Sequence, residues 1–236
     1  MADLLILAIE TATGCGSVAL TRGPANGGKV LAEYTLQPEL THSRRLLGSV
    51  TAMMVAVGIS WPEIDAVAVS QGPGSFTGLR IGMAAAKGIA MAADRPSLGV
   101  PTLDALASQL IPTDVPVCCL LDARKQQVYA GWYRFTEEGY QRIGDCAVLS
   151  VEQVLSTLQE PSLLVGPGAA AWATALLGHP LVRLHPSAML HPRAAAVGFC
   201  AAARLAAGEQ AEVNPVPLYV RASEAELNIR PMENNG

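Results

Sequence analysis

Positive charge is scarce in this sequence. Lysine and arginine total 16 against 20 acidic residues, a net charge of −4 over 236 residues. Affinity for nucleic acid comes mainly from cations that neutralise phosphates, so the chain is not expected to grip nucleic acid unaided. Charge of either sign is low, at 15%, while 50% of the residues are hydrophobic. That excludes the polar, highly charged compositions that stay disordered and predicts a substantial core. Long hydrophobic runs are also lacking. The apolar stretch from Leu4 to Ile9 stops at Glu10 with no basic segment before it, which fits neither a signal peptide nor a membrane span and reads as cytoplasmic. Cys-x-x-Cys spacing is absent, and the cysteines are odd in number at five. Reduced, buried cysteines are expected, with the neighbours Cys118 and Cys119 on opposite faces of one strand.

Hydrophobic patterning divides the chain into two similar halves. Leu4–Ile9, Ser17–Thr21 and the alternation around Val30, Ala32 and Tyr34 predict three strands joined by tight turns. Leu46, Leu47, Val50, Met53, Met54 and Val57 recur at steps of three and four, the stripe of an amphipathic helix that Gly58 can stop. A strand over 65–70, a helix from about Phe76 to Ala92, a strand over 97–100 and a helix over 102–110 follow. The pattern then restarts: strands over 117–121, 128–135 and near 146–149, a helix with a Ser150/Gln153 capping box, a strand over 162–165 and a helix after Gly166-Pro-Gly168. His191-Pro192 is expected to open a last alanine-rich helix running to about Ala207. The division predicted is a lobe over 1–102, a lobe over 103–221 with the last helix free to pack back on the first, and a polar tail over 222–236.

The segment Gly72-Pro-Gly-Ser-Phe-Thr-Gly78 turns a strand into a helix, where unpaired backbone N–H groups can hold an anion. It nevertheless matches neither phosphate fingerprint. Leu79-Arg80 stands where Lys-Ser/Thr would complete a Walker loop, and Thr77 occupies the third glycine's place of Gly-x-Gly-x-x-Gly. A tight structural turn is the favoured reading. Behind it, Gly78, Gly82 and Ala86 lie four apart, a row that lets another element approach closely, either within the lobe or from a partner. No Gly-x-Ser-x-Gly elbow supports a serine nucleophile. His179, His185 and His191 each precede proline at intervals of six, which suits loops and helix starts rather than a helical metal-ligand pair.

The strings Asp65-AVAVSQGPGSFTGLRIGMAAAKGIA-Met91, Gly99-VPTLDA-Leu106, Leu5-ILAIETATGCGSVAL-Thr21 and Pro217-LYVRASE-Ala225 closely resemble the TsaB family, also called YeaZ. The resemblance spans most of the chain. It implies an α/β, actin-like (ASKHA, ribonuclease H-like) duplicated two-lobe fold with mixed sheets flanked by helices. It also implies a non-catalytic scaffold that pairs with its paralogue TsaD and recruits the ATPase TsaE, in threonylcarbamoyl transfer to the adenosine beside the anticodon of tRNAs reading codons that begin with A. TsaD-like proteins bind a metal through two histidines on the helix after the fifth strand. The corresponding stretch Gly99–Ser108 has none, only Asp104, so no metal and no catalytic residue is expected.

By the same resemblance, the first amphipathic helix and the glycine-rich helix form the pairing surface, with His42, Arg45, Leu46, Ser49, Met53, Gly82, Met83, Ala86 and Lys87 as contacts. Those helices could also form a homodimer in isolation. Glu10, Asp122, Gly166 and Gly168 would be a vestigial nucleotide site; ATP, ADP and metal would be handled by partner subunits, and tRNA met only through the complex. A stand-alone actin-like ATPase or phosphotransferase is the alternative reading. A peptidase would need a nucleophile–base pair that the sequence does not offer.

Overall fold

The computed structural model describes residues 3–25, 27–36, 42–137, 139–186, 190–210 and 215–220, and of residues 36 and 42–45 the backbone alone. The segment 222–236, read above as a tail, lies outside the described residues. In the first half, β1 (Leu5–Glu10), β2 (Gly16–Arg22) and β3 (Lys29–Leu36) form an antiparallel meander, followed by α1 (His42–Val57), β4 (Ala66–Gly72), α2 (Phe76–Ala93), β5 (Ser97–Pro101) and α3 (Thr102–Ala107). The second half runs β6 (Val117–Asp122), β7 (Gln127–Thr136), β8 (Gly139–Ser150), α4 (Val151–Ser156), β9 (Ser162–Val165), α5 (Pro167–Ala171), α6 (Ala173–Leu176), β10 (Val182–Leu184) and α7 (Ala194–Ala206).

The sheets have strand orders β3-β2-β1-β4-β5 and β10-β9-β6-β7-β8. Counted within each half, both read 3-2-1-4-5, with the first three strands antiparallel and the last two parallel to the first. This is the duplicated, actin-like α/β architecture that the sequence implied.

Each central strand is buried on both faces, which explains its unbroken apolar run. On β1, Leu5, Leu7 and Ile9 face α1 and α2, while Ile6 and Ala8 face α7. Cys118 and Cys119 divide between the two cores of the second sheet as alternation demands. All five cysteines are unpaired.

The last helix of each half packs across the molecule. Leu103 and Leu106 of α3 join Val117, Cys119, Leu121 and Tyr133 of the second sheet. Reciprocally, α7 lies on the first sheet, its Ala194, Ala195, Ala201 and Ala202 against Ala8, Ala19, Ala66 and Ala68. Small side chains on both surfaces allow a close helix–sheet approach, and Gly198 sits directly over Thr21.

The start of α7 is also held from the first lobe. Ala194 N donates to Ser17 Oγ at 2.9 Å and Ala195 N to Glu33 Oε1 at 3.1 Å, and Glu33 also pairs with Arg193. A serine on β2 and a glutamate on β3 thus satisfy N–H groups that a local N-cap would otherwise serve. The helix therefore begins at Ala194, two residues after the Pro192 that the sequence suggested as its opening.

Other elements differ from expectation in extent. Strand β8 reaches back to Gly139 because β7 pairs along nearly its whole length. The helix after Gly168 divides at Trp172 into α5 and α6. The Ser150/Gln153 capping box is present, with Ser150 N donating to Gln153 Oε1 at 2.8 Å and Gln153 N to Ser150 Oγ at 3.2 Å. Among the described residues no helix is long and apolar enough to cross a membrane.

Loss of the remote cap has a measurable consequence. Ser17→Ala should lower unfolding free energy by about 1 kcal/mol, read as a lower denaturant midpoint at unchanged slope.

Candidate functional site

Three regions concentrate the residues singled out from sequence: the start of α2, the cleft between the lobes, and the paired helices α1 and α2. The start of α2 is built around the turn that follows β1. Ser75 N donates to Ala12 O at 2.7 Å, and the Thr11 hydroxyl donates to Gly78 O at 2.8 Å. A Cβ on Gly74 would strike Ala12, one on Gly78 would strike the Thr11 carbonyl oxygen, and one on Gly82 would strike the Thr11 hydroxyl. The glycines of Gly72-Pro-Gly-Ser-Phe-Thr-Gly78 thus admit the backbone of a neighbouring turn. Ser75 caps α2 locally, accepting from Gly78 N at 3.3 Å. On the other side, Leu218 N donates to Gln71 O at 2.6 Å and its carbonyl closes over Gly72.

Glu10 lies under this turn and is fully buried. Its Oε1 accepts from Ala12 N at 2.6 Å and from the Ser70 hydroxyl at 3.3 Å, while the Thr13 hydroxyl is 3.4 Å from Oε2. Burial pushes its carboxyl up from 4.5 to about 8, against the opposing pull of these hydrogen bonds. At neutral pH it is mainly the uncharged acid.

The cleft between the lobes has a volume of about 750 Å³ and is walled by the turn after β1, the start of α2, the β6–β7 hairpin and residues 218–220. Of the four residues expected to form a vestigial nucleotide site, only Asp122 lines it. Glu10 is sealed beneath the turn. Gly166 and Gly168 pack on the backbone of Leu120 and Leu121, where a Cβ would come within 2.6–2.8 Å. Their sequence signature records close packing between α5 and β6. Arg80, Arg124, Lys125, Phe76 and Tyr219, none of them among the four expected residues, line the cleft with Asp122.

The expected pairing contacts also need correction. Leu46, Met53, Gly82, Met83 and Ala86 are buried in the protein's own first core, so they form no part of its outer surface. Ser49 and Lys87 are half-buried, and the side chains of His42 and Arg45 lie outside the described residues. What α1 and α2 turn outward is a different set. Gly48, Ala52 and Ala56 lie four apart and exposed on α1, as do Ala84, Gly88 and Ala92 on α2. Beside these rows stand Leu47, Val55 and Met91, at 55%, 76% and 85% exposure. Gly48 and Gly88 have open space where a Cβ would stand. Both rows were readable as small residues at i, i+4 and i+8; the inward row, with its two glycines and Ala86, drew the reading away.

Asp104, the single acidic residue on α3, accepts from Tyr133 Oη at 2.7 Å and lies 3.7 Å from Arg142. Its Oδ1 therefore ties α3 to β7 and β8. His179 Nδ1 accepts from Leu181 N at 3.3 Å in a loop. Among the described residues no three histidine, cysteine, aspartate or glutamate side chains gather as a metal site.

The molecule is thus of the duplicated actin-like class, with an inter-lobe cleft and an outward apolar face on its first lobe. Comparison with known proteins narrows this. The family model described as "TsaD: tRNA N6-adenosine threonylcarbamoyltransferase" matches residues 29–229. The tRNA threonylcarbamoyladenosine biosynthesis protein TsaB of Escherichia coli is 39% identical over 173 residues, covering 71% of this chain and 73% of that protein. Its Haemophilus influenzae counterpart is 32% identical over 187 residues, 73% and 76% of the two chains. The solved structure of YeaZ from Pseudomonas aeruginosa superposes with a TM-score of 0.77 at 29% identity, over 92% of this chain and 99% of that one. The chain belongs to the TsaB (YeaZ) family.

Two measurements follow from the site's geometry. Gly78→Ala, whose methyl meets backbone, should destabilise by about 1–3 kcal/mol or more, whereas Gly88→Ala should be neutral or stabilise by up to about 1 kcal/mol; thermal unfolding of both checks this. For Glu10, the folded-state value of about 8 exceeds the ordinary 4.5, so the folded protein holds an extra proton between them. Its contribution is fully present below about pH 4.5 and is lost as pH rises through about 8, at roughly 1 kcal/mol per pH unit. Glu10→Gln should flatten that part of the stability–pH curve, as chemical denaturation at pH 5 and pH 8 would reveal.

Proposed function

We propose that this chain is a non-catalytic scaffold subunit in formation of threonylcarbamoyladenosine on tRNA, the names of its relatives supporting the pathway. It pairs with a TsaD-like paralogue and recruits a TsaE-like ATPase. The observation that carries the reading is the outward face of α1 and α2, where two rows of small residues are flanked by Leu47, Val55 and Met91. Apolar side chains exposed together mark association surfaces, and rows of small residues let a partner helix approach closely.

Absence of a catalytic role is part of the proposal. Asp104 is engaged by Tyr133 and Arg142, and Glu10 is enclosed beneath its turn. That geometry disfavours the alternative of a stand-alone ATPase, which would need an acidic group from the first lobe in the cleft. Nucleotide and metal are then held by the partners, and the complex works in the cytoplasm. The same outward face would form a homodimer when the paralogue is missing.

Ala52→Arg and Gly88→Arg place long cations on the exposed rows without entering the core. Each should abolish co-purification with the TsaD-like paralogue while the thermal midpoint stays within a few degrees of wild type. Undiminished affinity in both variants would remove the pairing surface from this account.

A further inference from the structure

The mouth of the cleft joins aromatic rings and cations in a way the scaffold role does not use. Phe76, at the start of α2, and Tyr219, on the segment that crosses Gln71, stand 5.3 Å apart between ring centroids, tilted by 32°. Arg80 lies over the Phe76 ring at 3.9 Å, and its Nε donates to Tyr219 Oη at 3.3 Å. Phe76 and Tyr219 remain 37% and 45% exposed as residues. A preformed cluster of two partly exposed aromatic residues and a guanidinium can serve as a stacking platform, since every nucleobase has a π-face to offer.

Across the cleft, the hairpin after β6 presents Arg124 and Lys125, both exposed. The hairpin holds three successive residues, Arg124, Lys125 and Gln126, at φ of 59°, 49° and 60°, the left-handed region that non-glycine residues rarely enter even singly. Among the described residues Asp122 is the one acidic residue lining the cleft, and its Oδ1 accepts from Arg124 N at 2.8 Å. Among the described lining residues, Arg80, Arg124 and Lys125 stand with Asp122, in a chain whose net charge is −4. Neither Arg80 nor Arg124 pairs with a carboxylate among the described residues.

We infer that the cleft mouth binds a nucleotide of single-stranded RNA, its base stacked on the Phe76–Tyr219–Arg80 platform and its phosphates against Arg124 and Lys125. The scaffold is then also a direct RNA contact, contrary to the expectation that tRNA is met only through the complex. Exposed rings favour this ligand over an acidic peptide, which would use the cations and leave the rings idle. The inference rests on the tRNA-modification reading for the choice of RNA alone.

The test titrates the full-length chain into a fluorescein-labelled 12-nucleotide adenine-rich RNA, with the corresponding RNA duplex, ATP and heptaglutamate as competitors. Variants are Arg124→Asn with Lys125→Asn, because asparagine tolerates the left-handed backbone, and Phe76→Leu. Binding is expected to weaken with salt, the double variant reducing the log–log salt slope by about 1.4, and Phe76→Leu weakening affinity by about five- to 150-fold. Unlabelled single strand should displace the probe better than duplex, ATP or heptaglutamate does. Absence of RNA binding, an unchanged salt slope in the double variant, or equal displacement by ATP or heptaglutamate would overturn the inference. Ala52→Arg, which breaks the proposed pairing, should bind the RNA as wild type does, so the two proposals fail independently.

Discussion

The close approach of α2 to the turn after β1 is the constraint on which the rest of the molecule depends. Gly74, Gly78 and Gly82 line one side of the loop and helix, and each lacks a side chain where Thr11 or Ala12 intrudes. With the inward row spent on that contact, helical geometry turns Ala84, Gly88 and Ala92 toward solvent. The same contact fixes Phe76 and Arg80 at the cleft mouth. One packing event inside the first lobe thus orients both the outward face of α1 and α2 and the cleft mouth.

The lobes are joined by exchange rather than by simple contact. The last helix of each half reaches the other half's sheet, α3 packing on β6 as well as on β4 and β5, and α7 on β1, β2 and β4. The caps that Ser17 and Glu33 provide to α7 couple the end of the second half to the meander of the first. Glu10, at the end of β1, is turned into a buried hub with Ser70, Ala12 and Thr13 rather than toward the cleft. A protonated acid in that place serves the architecture of the turn.

Much of the fold was legible in the sequence, because the runs Leu5–Ile9 and Ala66–Val69 are buried on both faces and the α1 stripe is strongly periodic. Strand β10 was not, since three residues flanked by loops carry too short a pattern. The start of α7 was displaced because its caps come from residues more than 150 positions away. For the candidate surface, periodicity singled out the row Gly78, Gly82 and Ala86 on α2, which faces inward, and passed over Ala84, Gly88 and Ala92. Only the position of Thr11 decides which row faces inward. Beyond Asp122 and the Gly72–Gly78 segment, the cleft residues carried no local signal, because Tyr219, Arg80 and Arg124 meet through tertiary structure alone.

The central claim is that a catalytic fold has been kept here to hold a partner. Its most direct test is reconstitution of tRNA modification from a TsaD-like paralogue and a TsaE-like ATPase, with this chain present or omitted, reading threonylcarbamoyladenosine by mass spectrometry of digested tRNA. The account predicts modified adenosine only when the chain is present; equal modification in its absence would contradict it.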